Sequence, residues 1–165
     1  METGEELRFD HGDGTPTRLK KQLSRLTSMT AAQMTRVSRE ALRAAGAHKD
    51  HFVVLAALAD FGPASQAALS DRTSVYKSDL VSVLNDLEDG GWVRRAPDPA
   101  DKRRNVITIT EFGEHRLAEL DGVLDGVNNH IMAPLDHDER AQLFILLNRI
   151  NAHLATSAGG TGLPG

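Results

Sequence analysis

The chain has 165 residues, of which 40% are hydrophobic, 25% charged and 4% aromatic, with no cysteine. A chain of this length buries roughly 70% of its unfolded surface and folds as one domain without staples, and the lack of Cys excludes a disulfide scaffold, a thiolate zinc site, a cysteine nucleophile and a thiol redox switch. The net charge of −4 is unevenly spread: residues 1–14 hold five acids and one base (net −4), residues 15–110 fifteen bases and ten acids (net +5), and residues 111–165 eight acids and three bases (net −5), a basic middle that suits a polyanionic partner.

Met1–Gly14 is acidic and lacks periodicity, so it reads as a disordered tail, and residues 157–165 (SAGGTGLPG) read as a second one. Met1–Asp10 lacks the basic-then-apolar order of a signal peptide, and no apolar run approaches the roughly 18 residues of a membrane span, so a cytoplasmic protein is expected. From Thr17 to Ala45 the residues Leu19, Leu23, Leu26, Thr30, Gln33, Val37, Ala41 and Ala44 step by three and four, which predicts one long helix stopped by Gly46. His51–Phe61 predicts a short apolar helix ended by Gly62-Pro63. Ser65 caps a brief helix from Gln66 to about Arg72. A third short helix runs from about Tyr76 to Asp89, with Leu80, Val83, Leu84 and Leu87 on its core face and Gly90-Gly91 at its end.

Gly91–Arg95 and Asn105–Thr110 read as two strands, joined by the proline- and aspartate-containing loop Ala96–Arg104. Thr110 caps the next helix, where Leu117, Leu120, Leu124, Val127 and Ile131 form a stripe that ends before Pro134. Asp136 and Glu139 start a last helix in the manner of a capping box, with Leu143, Phe144, Leu147, Ile150 and Leu154 turned inward.

Three short helices followed by a two-stranded hairpin make a winged helix-turn-helix, a mainly α fold with a small β-hairpin wing, whose third helix fits the major groove of DNA. The division expected is one domain over 15–156, with the DNA-binding lobe at 47–110 and dimerisation helices at 15–46 and 111–156. Those terminal helices carry stripes that a small core does not use, which favours a dimer over an intramolecular bundle.

Leu87, Glu88, Gly91, Trp92-Val93, Arg95, Asp101-Lys102-Arg103, Ile109-Thr110 and Gly113 together resemble the signature of MarR-type bacterial transcription regulators. The helix order is similar as well, over about residues 17–155. The resemblance implies a homodimer that binds a short inverted repeat of double-stranded DNA, and in many relatives a small ligand, often an aromatic acid, that releases it. A repressor is favoured over an activator.

On the third helix the face opposite the core carries Lys77, Ser78, Val81, Ser82 and Asn85. Ser and Asn can read base edges, Asn can pair bidentately with adenine, Val81 suits a thymine methyl and Lys77 a phosphate or guanine, beside the alternative of an ordinary solvated helix face. Asp79 departs from a phosphate-binding face: it accepts from cytosine or orients Lys77 or Arg72. The wing holds five bases, Arg94, Arg95, Lys102, Arg103 and Arg104, against Asp98 and Asp101. A basic hairpin tip suits the minor groove. The resemblance puts Asp101 and Arg103 at that tip, Asp101 either orienting a neighbouring arginine on DNA or only stiffening the loop. Ser65 and Gln66 offer backbone N–H groups to a phosphate.

The resemblance also implies an effector site where the dimerisation helices meet the DNA-binding lobe, with Arg18 on a carboxylate and His51 on a phenolic hydroxyl as candidates, beside the alternative that both are structural. His48, His51, Glu40 and His115 invite a metal-responsive reading, but no tight cluster or His-x-x-x-His occurs, so no metal site and no cofactor is expected. No Gly-x-Ser-x-Gly, P-loop or His-Glu-x-x-His is present, so an enzyme is not expected. A winged helix used only for protein contacts is the remaining alternative; the small polar helix face and basic wing speak against it.

Overall fold

The structure is a computed structural model that describes residues 14–157. The expected tails lie outside those residues, apart from Gly14 and Ser157. The elements are α1 (Thr17–Lys20), α2 (Leu23–Ala44), α3 (Lys49–Phe61), β1 (Ala64–Ser65), α4 (Gln66–Thr73), α5 (Lys77–Asp89), β2 (Val93–Pro97), β3 (Asn105–Ile109), α6 (Glu111–Ile131) and α7 (His137–Ser157). Contacts group the chain into two compact units, Met1–Val127 and Asn128–Gly165.

In the first unit α2 ends as Gly46 predicts. Gly46 has φ +70, its N–H donates to Arg43 O and that of Ala47 to Leu42 O, a Schellman stop that brings Ala47 onto Leu42. Gly91 (φ +72) ends α5 in the same way, with Gly91 N on Glu88 O and Trp92 N on Leu87 O. Both glycines are needed because L side chains avoid this backbone region. The core joins Leu42, Val54, Leu55, Leu58, Leu69, Leu80, Leu84, Leu87, Val93, Ile107 and Leu120. The four core residues expected on α5 are all buried.

Two expectations need correction. The single helix over Thr17–Ala45 is broken at Lys21–Gln22, where Gln22 takes extended backbone (φ −85, ψ 112) as the N-cap of α2. The Leu19–Leu23–Leu26 stepping runs through the break, and no Gly or Pro marks it. The two-stranded hairpin forms from β2 and β3, but the sheet has a third strand that the sequence reading lacks. β1 adds to it in a sheet of order β1-β3-β2, with Ala64 opposite Ile107 and Ser65 opposite Val106. A two-residue strand has no period to read. The strands of the wing shift too: β2 is Val93–Pro97, with Val93 opposite Ile109 and Pro97 opposite Asn105.

In the second unit the capping box forms as the sequence predicts: Glu139 N donates to Asp136 Oδ1 and Asp136 N to Glu139 Oε2, both at 2.9 Å. No residue of α7 is buried, so the inward placing of Leu143, Phe144, Leu147, Ile150 and Leu154 does not hold within this chain.

Candidate functional site

α4 and α5 are joined by Ser74-Val75-Tyr76. Ser74 is left-handed (φ 57), and the turn is held by Ser70 Oγ donating to Val75 O (2.7 Å) and Thr73 Oγ1 to Leu69 O (2.6 Å). Val75 plugs the core while Tyr76 stands 78% exposed at the N-cap of α5. Tyr76 is an exposed aromatic beside the exposed face of α5, and its bulk at a cap position was the available signal.

The structure brings Lys77, Ser78, Val81, Ser82 and Asn85 together on one exposed face of α5. Ser78 Oγ donates to Asp79 Oδ1 at 3.1 Å, and no ion pair among the described residues joins Asp79 to Lys77 or Arg72. Arg72 instead lies over the Phe61 ring, 5.3 Å from its centre. Ser65 Oγ accepts from Ala68 N at 3.3 Å, capping α4 as read, and the adjacent Gln66 opens that helix.

Arg95 differs most from a free cation. Its side chain is 26% exposed, its Nε lies 3.4 Å from Glu88 Oε2, and its Nη2 donates to Asn85 Oδ1. Its backbone N also donates to Glu88 Oε1 at 3.2 Å. The result ties the wing root to α5 and uses the Asn85 acceptor that adenine recognition needs. At the tip, Asp98 and Asp101 organise the loop: Asp98 Oδ1 accepts from Ala100 N (2.9 Å), Asp101 Oδ1 from Arg103 N (3.1 Å), and Asp101 Oδ2 lies 3.6 Å from Arg104 Nε. The side chains of Arg94, Lys102 and Arg103 are exposed and make no hydrogen bond or ion pair among the described residues.

A second feature of this unit is a cavity of about 730 Å³ lined by Met34, Thr35, Ser38, Arg39 and Leu42 of α2, by residues 48–50, 52 and 53 at the start of α3, and by Leu124 of α6. Its walls are mainly apolar, with Arg39 and Lys49 as cations. Arg18, on α1, is exposed and does not line it. Neither does His51, which is 6% exposed: its Nδ1 accepts from His48 N at 3.3 Å and its Nε2 lies 3.4 Å from Asp86 Oδ2. The backbone hydrogen bond assigns the ring proton to Nε2. Burial, aided by the charge of His48, lowers the His51 pKa more than Asp86 and Asp50 raise it. Arg39 and Lys49 were missed; the spacing Thr35, Ser38, Arg39, Leu42 on one helix face was the signal. Among the described residues no three His, Asp or Glu side chains gather as a metal would need, and no helix is long and apolar enough to cross a membrane.

The sequence profile of the MarR family matches residues 47–104, from the start of α3 through the wing. The transcriptional regulator HosA of Escherichia coli O111:H- is 36% identical over 101 residues, covering 61% of this chain and 74% of its own length. The chain belongs to the MarR family. The transcriptional repressor NicR of Pseudomonas putida, 27% identical, covers 84% of this MarR-family chain and 87% of its own length. The apo structure of E. coli MarR superposes with a TM-score of 0.70 at 26% identity, covering 78% of this chain and 96% of that one, and a mutant of the same protein with operator DNA gives 0.64. These relatives are transcriptional regulators rather than enzymes, as the sequence reading expects. The MarR-type winged helix, with its mostly helical fold and small antiparallel sheet, is the architecture observed.

Proposed function

We propose that the chain is a homodimeric, sequence-specific DNA-binding repressor that acts in the cytoplasm and leaves an inverted-repeat operator when a small aromatic acid binds. The observation that carries this reading is the placing of a small polar helix face beside a basic wing, the two tied together through Arg95. Lys77, Ser78 and Ser82 face base edges and phosphates, and Val81, 46% exposed, suits a thymine methyl. Arg94, Lys102 and Arg103 suit the minor groove and its flanking phosphates. Ser65 and Gln66 open α4, whose first turn offers backbone N–H groups to a phosphate, and Arg72 closes the same helix. The repressor named NicR and the operator complex of E. coli MarR support this direction.

A second copy accounts for apolar surface that each unit leaves open. Leu19 and Leu23 are 46% and 61% exposed, and on α7 Phe144, Leu147, Ile150 and Leu154, stepping by three and four, are 54%, 41%, 42% and 58% exposed. A continuous apolar helix face of this kind marks an association surface. A two-fold dimer sets its recognition helices roughly 34–36 Å apart, one turn of DNA. The effector site is the cavity of α2 and α3, whose volume falls in the usual ligand range of about 300–1,000 Å³. Arg39 and Lys49 supply the cations for a carboxylate, and Met34, Leu42, Phe52 and Val53 the walls for a ring. A coupling of about 1–3 kcal/mol changes DNA affinity roughly 5–150-fold.

The test is fluorescence anisotropy with a duplex of about 25–30 base pairs from the gene's own upstream region, beside a scrambled duplex, over a salt series. About 6–10 neutralised phosphates per dimer give a steep loss of affinity with salt. Tight, salt-sensitive preference for the native duplex, reduced by benzoate or a hydroxylated aromatic acid, supports the reading. Equal binding to both duplexes, or none at low salt, overturns it.

A further inference from the structure

Arg116 of α6 is a half-buried cation at a junction that the proposed DNA-contact residues do not explain. Its side chain is 16% exposed. Nη2 donates to the carbonyl of Ala45, the C-cap of α2, across 71 residues of sequence. Nη1 donates to Glu119 Oε2 at 3.1 Å. The guanidinium lies over the Trp92 ring, 5.0 Å from its centre. Nε is buried with no partner among the described residues. A guanidinium is costly to bury with a donor unmet, so its other contacts must hold it in place.

Those contacts converge on one point. Trp92 is the residue after the Schellman stop of α5, its N–H bonded to Leu87 O, and its carbonyl accepts Thr110 N at the foot of β3. It is therefore the shared root of the recognition helix and the wing. Ala45 ends the helix whose Met34–Leu42 segment lines the cavity. One planar side chain spans both.

We propose that Arg116 is a positioning residue for DNA binding: it fixes the wing root and the end of α5 against α2, so the affinity for DNA depends on it although it does not touch DNA. This rests on the DNA-binding reading above and adds a residue to it. Stacking on an indole while donating in the plane is a task for guanidinium, and lysine does not replace it.

The experiment is a double-mutant cycle on the full chain, with Arg116→Met and the wing-tip substitution Arg103→Ala, read as the dissociation constant for the native upstream duplex at fixed salt. Arg103→Ala alone is expected to weaken binding about tenfold, as the loss of one groove or phosphate contact does. Arg116→Met is expected to weaken binding by a similar factor and to cut the Arg103→Ala penalty to less than about threefold, because a displaced wing no longer presents Arg103. Multiplicative penalties, an unchanged affinity for Arg116→Met, or no penalty for Arg103→Ala each overturn the proposal. A role in stability alone lowers the urea midpoint but leaves the Arg103→Ala penalty equal in both backgrounds. If Arg116→Met does not fold, Arg116→Lys is put through the same cycle under the same criterion. Failure of the unaltered chain to bind either duplex overturns the DNA-binding reading itself, which separates the two failures.

Discussion

Replacing Gly113 by alanine is expected to break the joint between α6 and the wing root. A Cβ at this position falls 2.0 Å from the carbonyl oxygen of Trp92 and 2.7 Å from Ile109 Cγ1. The nearer obstacle is backbone, so no rotamer change relieves it. Ordinary contact at 3.4 Å requires the first turn of α6 to move by about 1.4 Å. That movement stretches three hydrogen bonds: Thr110 N to Trp92 O (3.0 Å), Thr110 Oγ1 to Gly91 O (2.7 Å) and Gly113 N to Thr110 Oγ1 (3.0 Å). At about 0.5–1.5 kcal/mol for each bond and about 1–3 kcal/mol for overpacking, the cost is about 2.5–7.5 kcal/mol. That is a large part of a domain stability of about 5–15 kcal/mol. Urea unfolding followed by the emission of Trp92, the chain's one tryptophan, measures it at fixed protein concentration. Gly122 is the control. It lies in the same helix, nothing among the described residues beyond its chain neighbours and the helix's own nearby backbone comes within 4 Å of its added Cβ, and alanine there stabilises by about 0.5–1 kcal/mol. A Gly113→Ala protein within about 1 kcal/mol of the unaltered chain refutes the close approach.

The buried His51 gives a pH dependence with a definite sign. Its folded pKa lies below the ordinary value of about 6.5, so between the two values the unfolded chain binds more protons and stability rises with pH. The loss therefore begins as pH falls through about 6.5, at up to about 1.4 kcal/mol per pH unit for this one proton. His51→Gln keeps an acceptor for the His48 N–H, and urea midpoints at pH 7.5 and 5.5 should differ less in the variant; equal differences count against the assignment. Arg94 and Arg95 should separate in DNA binding: Arg94→Ala lowers the slope of log affinity against log salt by about 0.9 per lost phosphate contact, whereas Arg95→Ala lowers it by more than one contact's worth, because it detaches the wing from Glu88 and Asn85 and with it the other wing cations. Asp136→Ala removes half of the α7 capping box and should cost about 1 kcal/mol, read as a lower thermal midpoint; Asp136→Asn should recover most of it.

What the sequence made legible was decided by local rules. The Leu80–Leu87 spacing gave the buried face of α5, Gly46 and Gly91 gave the ends of α2 and α5, and Asp136 with Glu139 gave the start of α7. What it did not make legible depends on partners far along the chain. β1 exists only because Ala64 and Ser65 meet Ile107 and Val106. The exposed stripe of α7 has the same period as a buried one, and periodicity does not say which chain covers it. The two side chains expected at an effector site, Arg18 and His51, do not line the cavity at α2 and the start of α3: His51 turns into the core to cap α3 and meet Asp86, while Arg39 and Lys49 line the space.

The wing shows the physical reason most plainly. Composition counts five bases between Arg94 and Arg104 as equal. The structure divides them by what else their groups satisfy. Arg95 is partly buried, so releasing it to a phosphate leaves Glu88 and Asn85 without a partner, and such a loss costs about 1–3 kcal/mol where the groups are desolvated. Arg104 is paired with Asp101, but its side chain is 73% exposed; an exposed pair is worth about 0–1 kcal/mol, so a phosphate displaces it at little cost. Arg94, Lys102 and Arg103 give up only water. An arginine that holds the wing to the recognition helix makes every other wing cation more effective, since a hairpin that is held in one place spends less conformational freedom when it enters a groove. Charge count therefore overstates the contacts the wing is free to make with DNA and understates what Arg95 does for them.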